Sequence, residues 1–311
     1  MIDMTTPEKE NELLSYSPEE RRKLLKRRDM TGRGGTIGPM ILWNIAFFMF
    51  PLIYILFISF CQRNAFGQIK YDLTFDNYRT FFTGTYMQVM LKSIKMAFEV
   101  TIIVILIAYP YAYFVSKLRR KTQSLLMLLI MIPSWTNSLL RVYALMNIMS
   151  TSGLINNMLI KLGIISEPIQ MLYTDFAVYL GMIFTTLPFM ILPLYSNLQK
   201  MDRSVLEAGR DLGCSSFQLF WMVIFPISLP GLAGGIALVF IPAMANFFIA
   251  DLMGGGKSIN IGNVIQNQFS TSNNWPLGSA ISVILMIVSA VLVSAANRLA
   301  ESGGHAAKSK K

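Results

Sequence analysis

The sequence predicts an all-α, polytopic membrane protein with six transmembrane helices, on three observations. Apolar residues make up 53% of the 311 positions and charged residues 14%, against roughly 25% charged in an average soluble protein. The mean hydropathy of +0.49 comes from long blocks with no charge at all, as a hydrocarbon slab requires. Lys and Arg, finally, are gathered into alternate loops and the two tails rather than spread along the chain.

Thr36 to Phe60 carries no charge and exceeds the 20 or so residues that cross a bilayer as a helix. Val100 to Ser116 is a second uncharged block, whose apolar pattern extends back across Glu99 to about Ser93. Thr122 to Leu140 is the third and Phe176 to Gln199 the fourth. Leu212 to Ala250 is longer than one span needs, and Pro226, Pro230 and Gly231 divide it into a short helix and a fifth span. The sixth is Leu277 to Ala296, after a segment rich in Asn, Gln and Ser. Irregular backbone cannot face lipid, so each crossing must be helical.

With the N-terminus inside, the tail before the first span, the loop at Lys117–Lys121, the loop at Lys200–Arg210 and the C-terminal tail hold nineteen of the 27 basic residues. That bias places both termini in the cytoplasm. The charged first tail lacks the short apolar core of a signal peptide. Within it, Ser17-Pro18-Glu19-Glu20 reads as a helix start, and the basic run that follows either rests on anionic lipid or simply fixes topology.

The composition removes several chemistries. A lone histidine, His305, leaves no material for a His-based triad or a multi-His metal site. Cys61 and Cys214 fall on opposite sides of the membrane and cannot pair. The net charge of +10 follows membrane orientation, not a nucleic-acid stripe. Gly254-Gly255-Gly256-Lys257-Ser258 mimics a phosphate loop. However, the glycine needed five positions before the Gly-Lys-Ser glycine is Asp251, and the segment follows a span instead of a strand. No cofactor and no catalytic residue is expected.

The loop between spans four and five carries the most information. Ser204 and Glu207 have capping-box spacing, Gly213 can end the helix in a left-handed conformation, and Ser215 or Ser216 can cap a second short helix, Phe217 to Phe225, closed by Pro226. Two short helices bent at a glycine would form a knob suited to a groove on a partner.

Glu207-Ala208-Gly209, three residues, Gly213, nine residues and Val223-Ile224-Phe225-Pro226 resemble the Glu-Ala-Ala loop of type I ABC importer permeases. Every spacing matches, with Gly209, Val223 and Phe225 departing from that pattern. Ile132-Pro133-Ser134-Trp135, Leu187-Pro188-Phe189-Met190 and Asn274-Trp275-Pro276-Leu277-Gly278 are similar to segments of bacterial spermidine/putrescine importer permeases. The resemblance implies a non-catalytic permease subunit with a dimeric ATPase, a second related permease and an external solute-binding protein as partners. It also implies a coupling loop that includes Ser204, Glu207, Ala208, Gly209, Asp211, Gly213 and Pro226. The organisation expected is a tail over 1–35, a first helix over 36–60, an external loop over 61–90, a permease domain over 91–297 with its loop at 200–226, and a tail over 298–311. The rival from another class is a stand-alone ion-driven carrier; such proteins often show internal repeats, which this sequence lacks, and that reading leaves the loop's spacing unexplained.

A polyamine path needs carboxylates or aromatic faces in place of water. Glu99 is the one carboxylate within an apolar block, and Asp251 lies at the outer end of span five. For each, the other reading is a helix-end acid paired with a neighbour such as Lys95. Trp135, Tyr143, Tyr179 and Trp275 either stack on an alkylammonium chain or anchor the interface. Arg141, at the outer end of span three, is a candidate gate or a snorkelling cation. Gly231, Gly234 and Gly235 permit close helix approach, towards a partner permease on this reading.

Overall fold

The computed structural model describes residues 38–64 and 66–308. The chain divides into two units between Phe57 and Ile58. The first contributes most of α1, Gly38–Ser59, in which Trp43 stacks on Phe47 with ring centroids 4.1 Å apart, one helical turn on. The polar amide of Asn44 is satisfied inside the helix by Met40 O at 3.0 Å. The expected helix start at Ser17 lies outside the described residues.

The second unit begins with a small antiparallel ribbon, β1 Gln62–Arg63 and β2 Ile69–Lys70, followed by α2, Asp76–Thr83. The side-chain amide of Asn77 donates to Ser59 O and Cys61 O, which ties α2 to the carbonyls left open where a helix ends. Next come α3 (Thr85–Ser116), α4 (Arg120–Trp135), α5 (Ser138–Met149), α6 (Leu154–Lys161) and α7 (Asp175–Gln199). They are followed by α8 (Arg203–Asp211), α9 (Ser216–Ala245), α10 (Phe247–Gly254), α11 (Ile261–Ser270) and α12 (Trp275–Lys308).

The helix α7 packs against both α3 and α9, and α12 packs on α9. On α3 the buried residues Ala97, Val100, Val104, Ala108, Ala112 and Val115 recur at three- and four-residue intervals, one face of a 3.6-residue helix. Glycines bring α9 close to α7. A Cβ at Gly231 would stand 2.6 Å from Asn197 Cβ, and one at Gly235 would stand 2.4 Å from Met190 Sδ. These glycines therefore face α7 of the same chain, which corrects the expectation that they face a partner permease.

Among the described residues, four helices are long and apolar enough to cross a membrane: α1, α7, α9 and α12. The pair α4 and α5–α6, bent by 97°, makes a fifth if it is one span. Six were expected, and two elements account for the difference. The second expected span lies in the C-terminal half of α3, whose N-terminal half carries Lys92, Lys95 and Glu99. The third does not run to Leu140. It stops at Trp135, because Thr136 is extended and Asn137 caps a new helix by accepting from Leu139 N–H at 2.8 Å. Sixteen residues of α4 reach about 24 Å.

The fifth span is also continuous where a break was expected. Ser216–Ala245 is a single helix of 30 residues with a π turn at Phe220–Ile224. A similar turn, Ile45–Met49, interrupts α1. Each ends two residues before a proline, Pro226 and Pro51 respectively. Proline lacks an N–H and its ring crowds the carbonyl four residues back, and the wider turn moves that carbonyl aside. Pro226 accordingly sits inside α9, not after a separate short helix.

Candidate functional site

The loop singled out by the sequence folds into α8, held at both ends by local chemistry. Its N-cap is Asp202, which accepts from Ser204 N–H at 3.0 Å. The capping box expected between Ser204 and Glu207 is not formed, because the acid two residues earlier reaches the open N–H groups and also complements the helix dipole. At the other end Gly213 is left-handed, with φ of 80°. Its N–H bonds Arg210 O at 2.9 Å, and Cys214 N–H bonds Gly209 O at 3.1 Å, the paired bonds of a Schellman stop. Ser215 then opens α9 with a reciprocal capping box to Gln218.

Of the α8 residues, Gly209 is buried, whereas Ser204, Glu207, Ala208 and Asp211 are exposed. A Cβ on Gly209 would meet Leu219 Cδ1 at 2.5 Å, so glycine here sets how closely α8 lies on α9. Apolar side chains beyond α8 are exposed too, Leu212 in the turn after it at 85% and Phe217 in the first turn of α9 at 73%. Three residues join α7 to α8 and four join α8 to α9, so α8 is tethered closely to both.

Gln123, which the sequence reading passed over, braces the base of this region. Its buried amide donates to Ser116 O and Leu118 O, both at 2.9 Å. It also accepts from Tyr195 Oη at 3.0 Å and Gln199 Nε2 at 3.3 Å. One side chain thus links the ends of α3 and α7 just before α8. The signal available in the sequence was a lone polar amide at the start of an apolar block.

Towards the N-terminus of α7 and midway along α3, the Tyr179 hydroxyl donates to the Glu99 carboxylate, and Lys95 Nζ stands 3.8 Å from the same carboxylate. Both partners of Glu99 are therefore groups of this chain, including the lysine one turn back. A cavity of about 170 Å³ adjoins them, lined in part by Lys92, Lys95, Asp175, Tyr179, Ser258 and Asn260. Ser258 donates to Asp175, and buried Ser93 accepts from Ile261 N–H at 2.8 Å. These serine contacts had no forecast in the sequence, because each joins residues far apart along the chain.

The remaining candidates lie elsewhere. Trp135 and Tyr143 are exposed on either side of the bend between α4 and α5. Arg141, beside them, turns back to donate to Thr136 O at 3.4 Å. Asp251 is exposed on α10, and Trp275, heading α12, meets Phe269 edge-on at 5.6 Å. The Gly254–Ser258 segment is a turn after α10, with left-handed Gly255 and Gly256. No strand precedes it.

Residues 103–303 match the sequence pattern of the family described as binding-protein-dependent transport system inner membrane component. The chain is 43% identical over 258 residues to the spermidine/putrescine transport system permease protein PotB of Haemophilus influenzae, covering 83% of this chain and 90% of that protein. Against the protein of the same name from Escherichia coli K12, identity is 41% over 251 residues, with 81% and 91% covered. Among solved structures, the bacterial alginate ABC transporter in complex with an alginate pentasaccharide-bound periplasmic protein contains a chain of like fold. Its TM-score is 0.73 at 15% identity, covering 91% of this chain and 97% of that one.

Proposed function

The chain belongs to the family of binding-protein-dependent transport system inner membrane components, and from that premise we propose that the solute it moves is a polyamine, spermidine or putrescine. The observation that carries this reading is the 43% identity, across 83% of the chain, to a spermidine/putrescine permease. The chain is a permease subunit and performs no covalent chemistry; ATP hydrolysis belongs to a partner. In this reading the termini and α8 face the cytoplasm, a second related permease completes the path, and an external binding protein delivers the solute.

The geometry of α8 supplies the coupling. Glu207, Ala208 and Asp211 are exposed on α8 and dock in a cleft of the ATPase, with Leu212 and Phe217 as the apolar part of the contact. Because short linkers join α8 to both α7 and α9, a displacement of α8 carries those helices as a body. The helices α7 and α9, each with prolines inside it, then alternate the path between its two faces. On α3 and α7, Glu99 and Tyr179 offer a carboxylate and an aromatic face to an ammonium group.

The test is ATP hydrolysis by the complex purified with its partner subunits, while spermidine and the binding protein are titrated in. Stimulation that requires both supports the polyamine assignment. Hydrolysis stimulated by the binding protein with a different solute, and indifferent to spermidine and putrescine, would remove it and leave the importer class standing.

A further inference from the structure

A groove of about 550 Å³ opens between the turn joining α3 to α4 and the helix α8. Four cations line it, Lys117, Arg119, Arg120 and Arg210, against one carboxylate, that of Glu207. Among the described residues none of the four forms an ion pair. Like charges gathered without partners repel one another and favour a counter-anion.

The groove is built by fixed parts. Lys117 Nζ sits 3.7 Å from the centroid of the Tyr113 ring, a cation–π contact that holds the ammonium at the rim. The buried amide of Gln123 fixes the turn itself through Ser116 O and Leu118 O. Apolar wall is supplied by Leu206 of α8 and buried Leu219 of α9. A ligand with an anionic head and an apolar body matches a basic rim beside an apolar wall.

Position selects among such ligands. The turn follows the uncharged run Val100–Ser116 and precedes the one that begins at Thr122, so the cations stand where hydrocarbon gives way to headgroups. We propose that this groove is a binding site for the phosphate of an anionic glycerophospholipid, with Arg119, Arg120 and Lys117 on the phosphate and the first carbons of an acyl chain against Leu206 and Leu219. The site holds whichever solute the permease moves, and it places a lipid directly behind α8.

The test is native mass spectrometry of the full chain purified with its accompanying subunits, titrated with phosphatidylglycerol, with phosphatidylcholine, or with inorganic phosphate. Wild type is compared with the Lys117→Gln/Arg119→Gln/Arg120→Gln variant and with a charge-matched control, Lys70→Gln/Arg79→Gln/Lys161→Gln, altered at the opposite end. Affinity for phosphatidylglycerol should fall about fivefold per cation removed, roughly a hundredfold for three, with the control unchanged. Should the triple variant fail to accumulate, Arg119→Gln alone should show the fivefold step. Equal losses in variant and control, or no loss in either, would overturn the proposal. So would inorganic phosphate that displaces the lipid at millimolar concentration, which would make the site one for free phosphate.

Discussion

The Tyr179 hydroxyl donates to the Glu99 carboxylate across 80 positions of sequence, joining the N-terminal part of α7 to the middle of α3. The carboxylate is thus flanked by a hydroxyl and, at 3.8 Å, by the Lys95 ammonium one turn back. On the proposed function Glu99 and Tyr179 would meet the ammonium of a polyamine, so altering the contact should cost transport as well as stability.

The pair should be energetically coupled. In a double-mutant cycle with Glu99→Gln and Tyr179→Phe, thermal unfolding of the purified complex should give a non-additive contribution of about 1 kcal/mol. That lies below the roughly 1.5–3 kcal/mol of a buried charge-assisted bond, since Glu99 is partly solvent-accessible. Strict additivity would mean that the two side chains do not interact.

Gly209 sets the seat of α8 on Leu219. Gly209→Ala should be close to neutral for stability, since a gain in helix propensity of about 1 kcal/mol opposes the contact its Cβ makes with Leu219 Cδ1. Gly209→Val, which adds both bulk and β-branching, should lose coupled transport, and Leu219→Ala should restore part of it. Uptake measured for the single and paired variants checks this. A fully active Gly209→Val with Leu219 intact would contradict the close seat.

Labelling should separate the two cysteines. Cys61 is buried, and burial pushes its thiol pKa up. A raised pKa means less thiolate at any given pH, so reaction with maleimide at neutral pH is slower than for an exposed thiol. Cys214, partly exposed beside α8, should react first, and from the cytoplasmic side of oriented vesicles. A Cys214→Ser variant should take up little label until it is unfolded. Rapid labelling of Cys61 in the folded protein would contradict its burial.

What the sequence made legible was local. The stop of α8 at Gly213 depends only on a glycine that adopts a left-handed turn, and Ser215 caps α9 through its own neighbours. The cap of α8 was misassigned because Asp202 and Ser204 both qualify. Which one reaches the open N–H groups depends on the path of the chain out of α7. The bend after Trp135 was hidden in an uncharged block, where Thr136 and Asn137 read equally well as helix. Gly231 and Gly235 announced a close approach, but not that the approaching helix was α7. Contacts such as Glu99 with Tyr179, Ser258 with Asp175, and Gln123 with Tyr195 join distant segments and exist only once the helices are packed.

On the proposed function, α8 converts the work of a partner ATPase into polyamine movement. The most direct measurement is uptake of labelled spermidine by liposomes holding the complete complex, with ATP enclosed and the binding protein outside, for wild type and Glu207→Arg. Wild type should accumulate spermidine only when ATP is inside. Glu207→Arg should insert normally yet transport about thirtyfold less or worse, as expected when one partner of an interfacial charge contact is reversed. Uptake that proceeds without ATP, or a stably inserted Glu207→Arg that transports like wild type, would contradict the account.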